Sequence, residues 1–219
     1  MAQLIIFGTG DIAQIANYYF ETDSKHEVMA FTVNREYLTE PEFEGKPVIA
    51  FEDLVEKYPP SDYQLFIALS YSKMNKIREA KYHEAKTMGY NLVSYISSKC
   101  TYLSQYEAGD NCFIFEDNTI QPFVKIGNNV TLWSGNHIGH HSVIHDHNFI
   151  SSHVVISGHC VIESNCFVGV NSTLAHKVTL AKETLVGAGA VITKNTEPYS
   201  IYVPAKSIKL DKKSDEVQL

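Results

Sequence analysis

From Ile114 onward an aliphatic side chain returns every sixth residue: Ile114, Ile120, Ile126, Leu132, Ile138, Ile144, Ile150, Ile156, Ile162, Val168, Leu174, Leu180, Val186 and Ile192. All 14 positions of that phase are filled, whereas an even spread of the 24 Ile, Leu and Val residues between 114 and 192 would put four in each of six phases. A helix repeats every 3.6 residues and a strand every 2, so a period of six requires a short strand plus a turn, wound repeatedly as a solenoid. Four places after the aliphatic, most repeats carry a small or compact residue (Val124, Val130, Ser142, Val154, Cys160, Cys166, Ser172, Val178, Thr184, Ala190), as suits a second inward position in a narrow core. Three hexapeptides close one triangular coil, which predicts that residues 18 apart stack as parallel neighbours roughly 4.8 Å apart.

The chain before residue 99 follows another pattern. Apolar runs over 3–7, 28–33, 64–69 and 92–95 predict strands, and the stretches 11–21, 51–58 and 73–88 between them predict helices, the last closed by Gly89. Pro59-Pro60 marks a loop. Strands alternating with helices predict a small parallel-sheet α/β unit. The expected domains are therefore 1–98 and 99–219, the second ending in a tail.

Lys and Arg number 18 against 25 Asp and Glu, a formal charge of -7, so neither nucleic acid nor an anionic membrane is an expected partner. With no signal-like start and no apolar run of about 18 residues, a cytoplasmic protein is expected. Cys100, Cys112, Cys160 and Cys166 show no CxxC pairing and read as reduced structural thiols.

Eight of the ten histidines fall between His137 and His176, a density that suggests a metal. The repeat frame gives most of them another explanation. His141, His147, His153 and His159 each lie three after a core aliphatic, where other repeats carry Asp117, Asn129, Gly135, Asn165, Asn171 and Gly189. That mixture suits a turn with left-handed dihedrals, so these four are expected to be turn residues, with His141 and His159 stacked and no metal required. His140 differs. It sits two after Ile138, at a corner of the coil where other repeats carry Asn128, Ser134, Asp146, Ser152, Gly158 and Ser164. A corner side chain projects from the prism, and an imidazole there can accept a proton from an attacking amine or hydroxyl.

Near the start, Gly8-Thr9-Gly10-Asp11-Ile12-Ala13 follows a strand and opens a helix, the context in which a glycine-rich turn binds phosphate or ribose. The acidic residue that would hold an NAD ribose after the next strand is replaced by Phe31-Thr32-Val33-Asn34, which argues against a nicotinamide dehydrogenase.

The hexapeptide run resembles the hexapeptide acyltransferases, whose solenoid is a left-handed parallel β-helix. The resemblance implies an α/β amino-terminal domain with a small Rossmann-like parallel sheet, followed by that all-β helix. The string Asn136-His137-Ile138-Gly139-His140-His141-Ser142-Val143-Ile144 resembles the segment carrying the catalytic histidine in bacterial nucleotide-sugar acetyltransferases, among them bacillosamine-pathway N-acetyltransferases and sialic-acid O-acetyltransferases. Matching the repeat phase implies His140 as general base. His141 stands where that family commonly has an orienting Asp or Glu, and Asp146, Asn136 or a water are other candidate acceptors. The same match implies pantetheine contacts at Phe149, Gly158, Val170 and Ala188. Val203-Pro204-Ala205-Lys206 looks like the family's Gly-Val-Pro-Ala-Lys tail beside the CoA nucleotide, with Tyr202 replacing Gly, which puts Pro204 and Lys206 in the cofactor set. By resemblance Gly8, Thr9, Gly10 and Asp11 form the nucleotide loop, and Thr32, Asn34 and Lys73 meet base, ribose or phosphate. The likeness also implies a homotrimer with acetyl-CoA as cosubstrate and no metal. Such an enzyme would N-acetylate a nucleotide-linked amino sugar, a 4-amino-4,6-dideoxyhexose, for lipopolysaccharide or O-antigen synthesis. Sialic-acid-type O-acetylation and a non-catalytic or metal-binding β-helix trimer are the rival readings.

Overall fold

The computed structural model describes residues 2–207, 209 and 211. β1 (Ala2–Phe7) leads into α1 (Asp11–Thr22), followed by β2 (His26–Val33), β3 (Glu42–Phe43), β4 (Lys46–Ala50), α2 (Leu54–Lys57), β5 (Tyr63–Ile67) and α3 (Lys76–Thr87). The sheet order is β3-β4-β2-β1-β5, parallel except for the β3–β4 edge hairpin. Alternation along β1 divides its neighbours into two cores, because successive strand residues point to opposite faces. Leu4 and Ile6 pack with Ala13, Ala16 and Phe20 of α1. Ile5 and Phe7 pack with Tyr82 and Ala85 of α3.

Three expectations shift in detail. β4 is an additional strand in a stretch whose Pro41, Gly45 and Pro47 mask its apolar run; it joins β2 only through Val48, Ile49 and Ala50. The helix expected over 51–58 divides into a 3-10 turn, Phe51–Asp53, and the four residues of α2. α3 begins at Lys76 rather than 73 because Lys73, Met74 and Asn75 all hold left-handed dihedrals (φ 51°, 51° and 64°). Its other end follows expectation: Gly89 (φ +91°) donates to the Lys86 carbonyl and Tyr90 to the Ala85 carbonyl, closing the helix as a Schellman motif.

Leu92 touches β5 only through a bridge to Leu65, and Tyr95–Ile96 already pairs with Phe113–Ile114 as a rung of the next sheet. From there the chain winds as a left-handed β-helix with three sheets, each formed by two-residue strands 18 apart in sequence except at the final strand, such as Ile126↔Ile144↔Ile162 and Ile138↔Ile156↔Leu174. All 14 phase-defining aliphatics are buried, and so are the compact residues at the second inward position, including Cys112, Cys160 and Cys166. Burial pushes the Cys112 and Cys166 thiols up to about 12, so neither is a nucleophile at neutral pH. Among the described residues no helix is long and apolar enough to cross a membrane.

The turn position is left-handed throughout. From Asp117 to Gly189 all 13 of its residues have φ between 55° and 77°, the four expected histidines among them, together with Phe123, Lys177 and Glu183. Those last three are poor choices for this region, where Cβ crowds the carbonyl. Replacing exposed Lys177 by Gly should therefore stabilise the protein by about 0.5–1 kcal/mol, the relieved strain outweighing glycine's greater unfolded-state entropy. A higher denaturant midpoint at unchanged slope would register this; a lower one would show that the lysine's contacts outweigh its strain.

The α/β unit is fastened to one face of the solenoid by α3. Arg78 is 1% exposed and donates to the carbonyls of Asn129, His147 and Asn148 and to the Oδ1 atoms of Asn129 and Asn75. Asn75 in turn donates to the Cys166 carbonyl, and Lys76 pairs with Glu183 at 3.1 Å. Tyr71 closes the upper part of the same face by packing on Phe149 and Phe167, with ring centroids 5.0 and 4.6 Å away.

Candidate functional site

Corner positions of the coil form three columns of residues 18 apart. His140, Gly158 and His176 share one vertex, between the sheet carrying His137, Val155 and Thr173 and the sheet carrying Val143, Val161 and Thr179. His140 is exposed there. Its backbone N–H donates to Gln121 Oε1 at 2.8 Å, and its ring lies across the next rung over Gly158. A Cβ on Gly158 would come within 2.8 Å of His140 Cε1 and Nε2, so only glycine admits the imidazole in this position.

The ring that meets His140 Nδ1 is that of His141. The two Nδ1 atoms are 3.0 Å apart, so one ring donates and the other accepts. When His140 donates from Nδ1, its Nε2 keeps the lone pair a general base needs. The ring of His141 is held by stacking between Phe123 (4.5 Å between centroids) and His159 (4.8 Å, 11° between planes), its neighbours 18 residues away on either side. Neither other protein candidate serves: Asp146 Oδ1 accepts from the Asn128 backbone at another vertex, and Asn136 Oδ1 accepts from Val154 inside the core. His159 and His176 complete the cluster, their centroids 5.4 Å apart. Desolvation, and then the nearby charges of His141, His140 and His176, lower the pKa of His159, favouring its neutral imidazole.

Cofactor candidates divide between vertices. Val170 (44% exposed) and Ala188 share a second column with Ser134 and Ser152. Strand Ile201–Tyr202 pairs with Leu185–Val186 and sets Val203 against Gly187, so the exposed tail residues Pro204 and Lys206 continue from that same edge. Phe149 requires a correction. Its ring is only 3% exposed beneath Tyr71, so it packs the domain junction and offers no face to a pantetheine arm.

In the α/β unit, β1 lies between β2 and β5, and the strand order changes direction at its carboxyl end, the place where open α/β sheets bind ligands. Gly8 (φ +121°) occupies that end; a Cβ would meet the Ala68 carbonyl oxygen at 2.8 Å, so the glycine lets two strand ends converge. Exposed Gly10 and Asp11 open α1, and Thr9 lines a small recess of about 140 Å³ with Val33, Tyr37 and Glu42. The exposed Lys73 follows the adjacent β5 on its left-handed turn. Thr32 is a second correction: it is fully buried and its hydroxyl donates to the Ile49 carbonyl, so it cannot meet a ligand. Asn34 remains at the rim, its amide donating to Glu52 Oε1 at 3.1 Å.

A second polar cluster, Glu79, His83 and His147, has no signature in the sequence because its parts are up to 68 residues apart. It is structural. Arg78 and Asn111 donate to Asn129 Oδ1, which turns Asn129 Nδ2 toward His147 Nδ1 at 2.9 Å as donor. His147 must then carry its proton on Nε2, toward Glu79 at 3.8 Å, and cannot present a lone pair there to an ion.

Residues 123–158 and 159–194 each match the family model described as bacterial transferase hexapeptide (six repeats). No curated protein matches the sequence at a significant level. Among solved structures, the chain is similar to the acetyltransferase domain of PglB from Neisseria gonorrhoeae, with 20% identity, a TM-score of 0.80, and coverage of 95% of this chain and 100% of that one. It is also similar to PerB from Caulobacter crescentus in complex with CoA and GDP-perosamine (18%, 0.81, covering 93% and 95%). A third similar structure is WeeI from Acinetobacter baumannii (20%, 0.79, covering 93% and 97%). At these identities the likeness establishes the two-part fold.

Proposed function

We propose that this chain, a hexapeptide-repeat protein of the bacterial transferase type, moves an acetyl group from acetyl-CoA to the amino group of a nucleotide-linked amino sugar. The proposed acceptor is a 4-amino-4,6-dideoxyhexose. One observation carries the reading: an exposed imidazole, His140, seated on Gly158 with its Nδ1 held by His141. The similarity to PerB bound to CoA and GDP-perosamine supports the substrate class.

In this mechanism the free amine attacks the thioester carbonyl, His140 Nε2 takes the amine proton, and the C–S bond breaks. The proton then passes from the imidazolium to the departing thiolate, so no acyl-enzyme forms. His141 acts as a positioning residue, its ring taking the place of a carboxylate; a backbone N–H at Gly158 is the proposed donor to the oxyanion. Three protomers packed with parallel axes make the site whole. The sheets flanking His140 expose Val155, Val191, Val143 and Val161 in part, an apolar surface suited to such packing. Because Val170, Ala188, Pro204 and Lys206 occupy a different edge from His140, the base of one protomer faces the cofactor edge of the next. The loop Gly8–Asp11, with Asn34 and Lys73, holds the nucleotide.

The test is CoA release on incubation with UDP-, GDP- and dTDP-linked 4-amino sugars and their 4-hydroxy counterparts. Release with an amino sugar, accompanied by an acetamido product, is expected. Release confined to hydroxyl sugars would reassign the protein to O-acetylation.

A further inference from the structure

We propose that His140, His141 and His159 form a divalent transition-metal site, with Zn²⁺ its reference ligand, whose occupation switches off the base. One ligand nitrogen from each of the three rings lies within 4.8 Å of the other two, all from one chain and all on exposed side chains. A tetrahedral Zn²⁺ with imidazole arms of about 2.0–2.1 Å needs nitrogens about 3.3 Å apart. The Nδ1 atoms of His140 and His141 already stand 3.0 Å apart. A His159 ring nitrogen lies within 4.8 Å of theirs and has to close by up to about 1.5 Å, which an exposed ring achieves by rotation about its side-chain bonds. His176, whose ring centroid is 5.4 Å from that of His159, or a water supplies the fourth ligand. Three imidazoles suit a borderline cation, not Mg²⁺ or Ca²⁺.

The switch comes from proton accounting, and this part rests on the acetyl-transfer reading. Coordination through the two facing Nδ1 atoms puts the ion where their shared proton lay. That proton moves by way of water to His140 Nε2, leaving the imidazole neutral but with no lone pair for the amine proton. Chelation reverses the change, so the ion inhibits and is not a cofactor.

Zn²⁺ alone, titrated calorimetrically into the EDTA-treated full chain, is expected to bind once per protomer. His159→Asn keeps a residue suited to the left-handed turn, as Asn165 and Asn171 are, while removing one ligand. It should weaken Zn²⁺ binding by about tenfold or more, and the effect of Zn²⁺ on its CoA release is read against its own rate in EDTA. CoA release by wild type should fall as Zn²⁺ saturates and return with EDTA, while the Asn variant resists the same concentration. Absence of binding to wild type, or equal binding to the variant, would overturn the site and leave the acetyltransferase reading intact. Stoichiometric binding with undiminished turnover would overturn the switch and count against His140 as base.

Discussion

His140→Ala should lower turnover by about two orders of magnitude or more, with both substrates saturating, while the protein keeps its oligomeric state and its fold. The expected size reflects the loss of general-base catalysis alone. Substrate positioning and oxyanion contacts survive the substitution, so residual activity above the uncatalysed rate is expected. Because the side chain is exposed and packs chiefly against Gly158 and two other imidazoles, truncating it opens no core cavity. A loss of kcat with an unchanged thermal midpoint would therefore report chemistry. Near-normal turnover would remove His140 from the role of base.

Arg78→Ala should produce the largest loss of stability, about 3 kcal/mol or more, with early release of α3 from the solenoid. The guanidinium is completely buried, and desolvation lowers its pKa to about 10, yet among the described residues no carboxylate pairs with it. It is held by neutral acceptors, three of which (the Asn148 carbonyl and the Oδ1 atoms of Asn129 and Asn75) lie within ordinary hydrogen-bonding distance, with the Asn129 carbonyl as a further partner. Truncation leaves several of them buried without donors, and each orphaned acceptor costs about 1–3 kcal/mol before water enters the gap. Urea unfolding measures the total. Hydrogen exchange along Lys76–Thr87 locates it, because loss of the clamp should free that helix first. A loss below about 1 kcal/mol would mean that water replaces the guanidinium at little cost.

These two residues mark the limits of what the sequence discloses. His140 is legible because the solenoid is a local code: six residues make a strand and a turn, so position in the repeat assigns burial, corner or left-handed turn without knowledge of distant contacts. All 14 phase positions and all 13 turn positions follow that assignment. The His141 contact carries a signal as well, two adjacent imidazoles at a corner and its turn, although no pattern tells which acceptor a ring will choose. Arg78 gives no sign. Its partners lie 51 to 70 residues away, apart from Asn75, and look like ordinary turn and core positions in their own repeats. Phe149 and Thr32 depart from expectation for the same physical reason. Repeat phase or strand end gives each a place, but coverage by Tyr71 in one case and by β4 in the other depends on long-range packing. In β4, turn-forming residues obscure a strand stabilised by its neighbours more than by its own propensity.

Co-expression of a His140→Ala chain with an Ala188→Trp chain tests most directly whether a base from one protomer serves the cofactor edge of its neighbour. Each variant alone should be nearly inactive, one lacking the proton acceptor and the other having its acetyl-CoA edge blocked. Random assembly would restore about one site in four, those pairing an intact His140 with an intact neighbouring edge, and so return about a quarter of wild-type CoA release. Activity no higher than that of the separate variants, in trimers verified to contain both chains, would contradict a catalytic cleft shared between protomers.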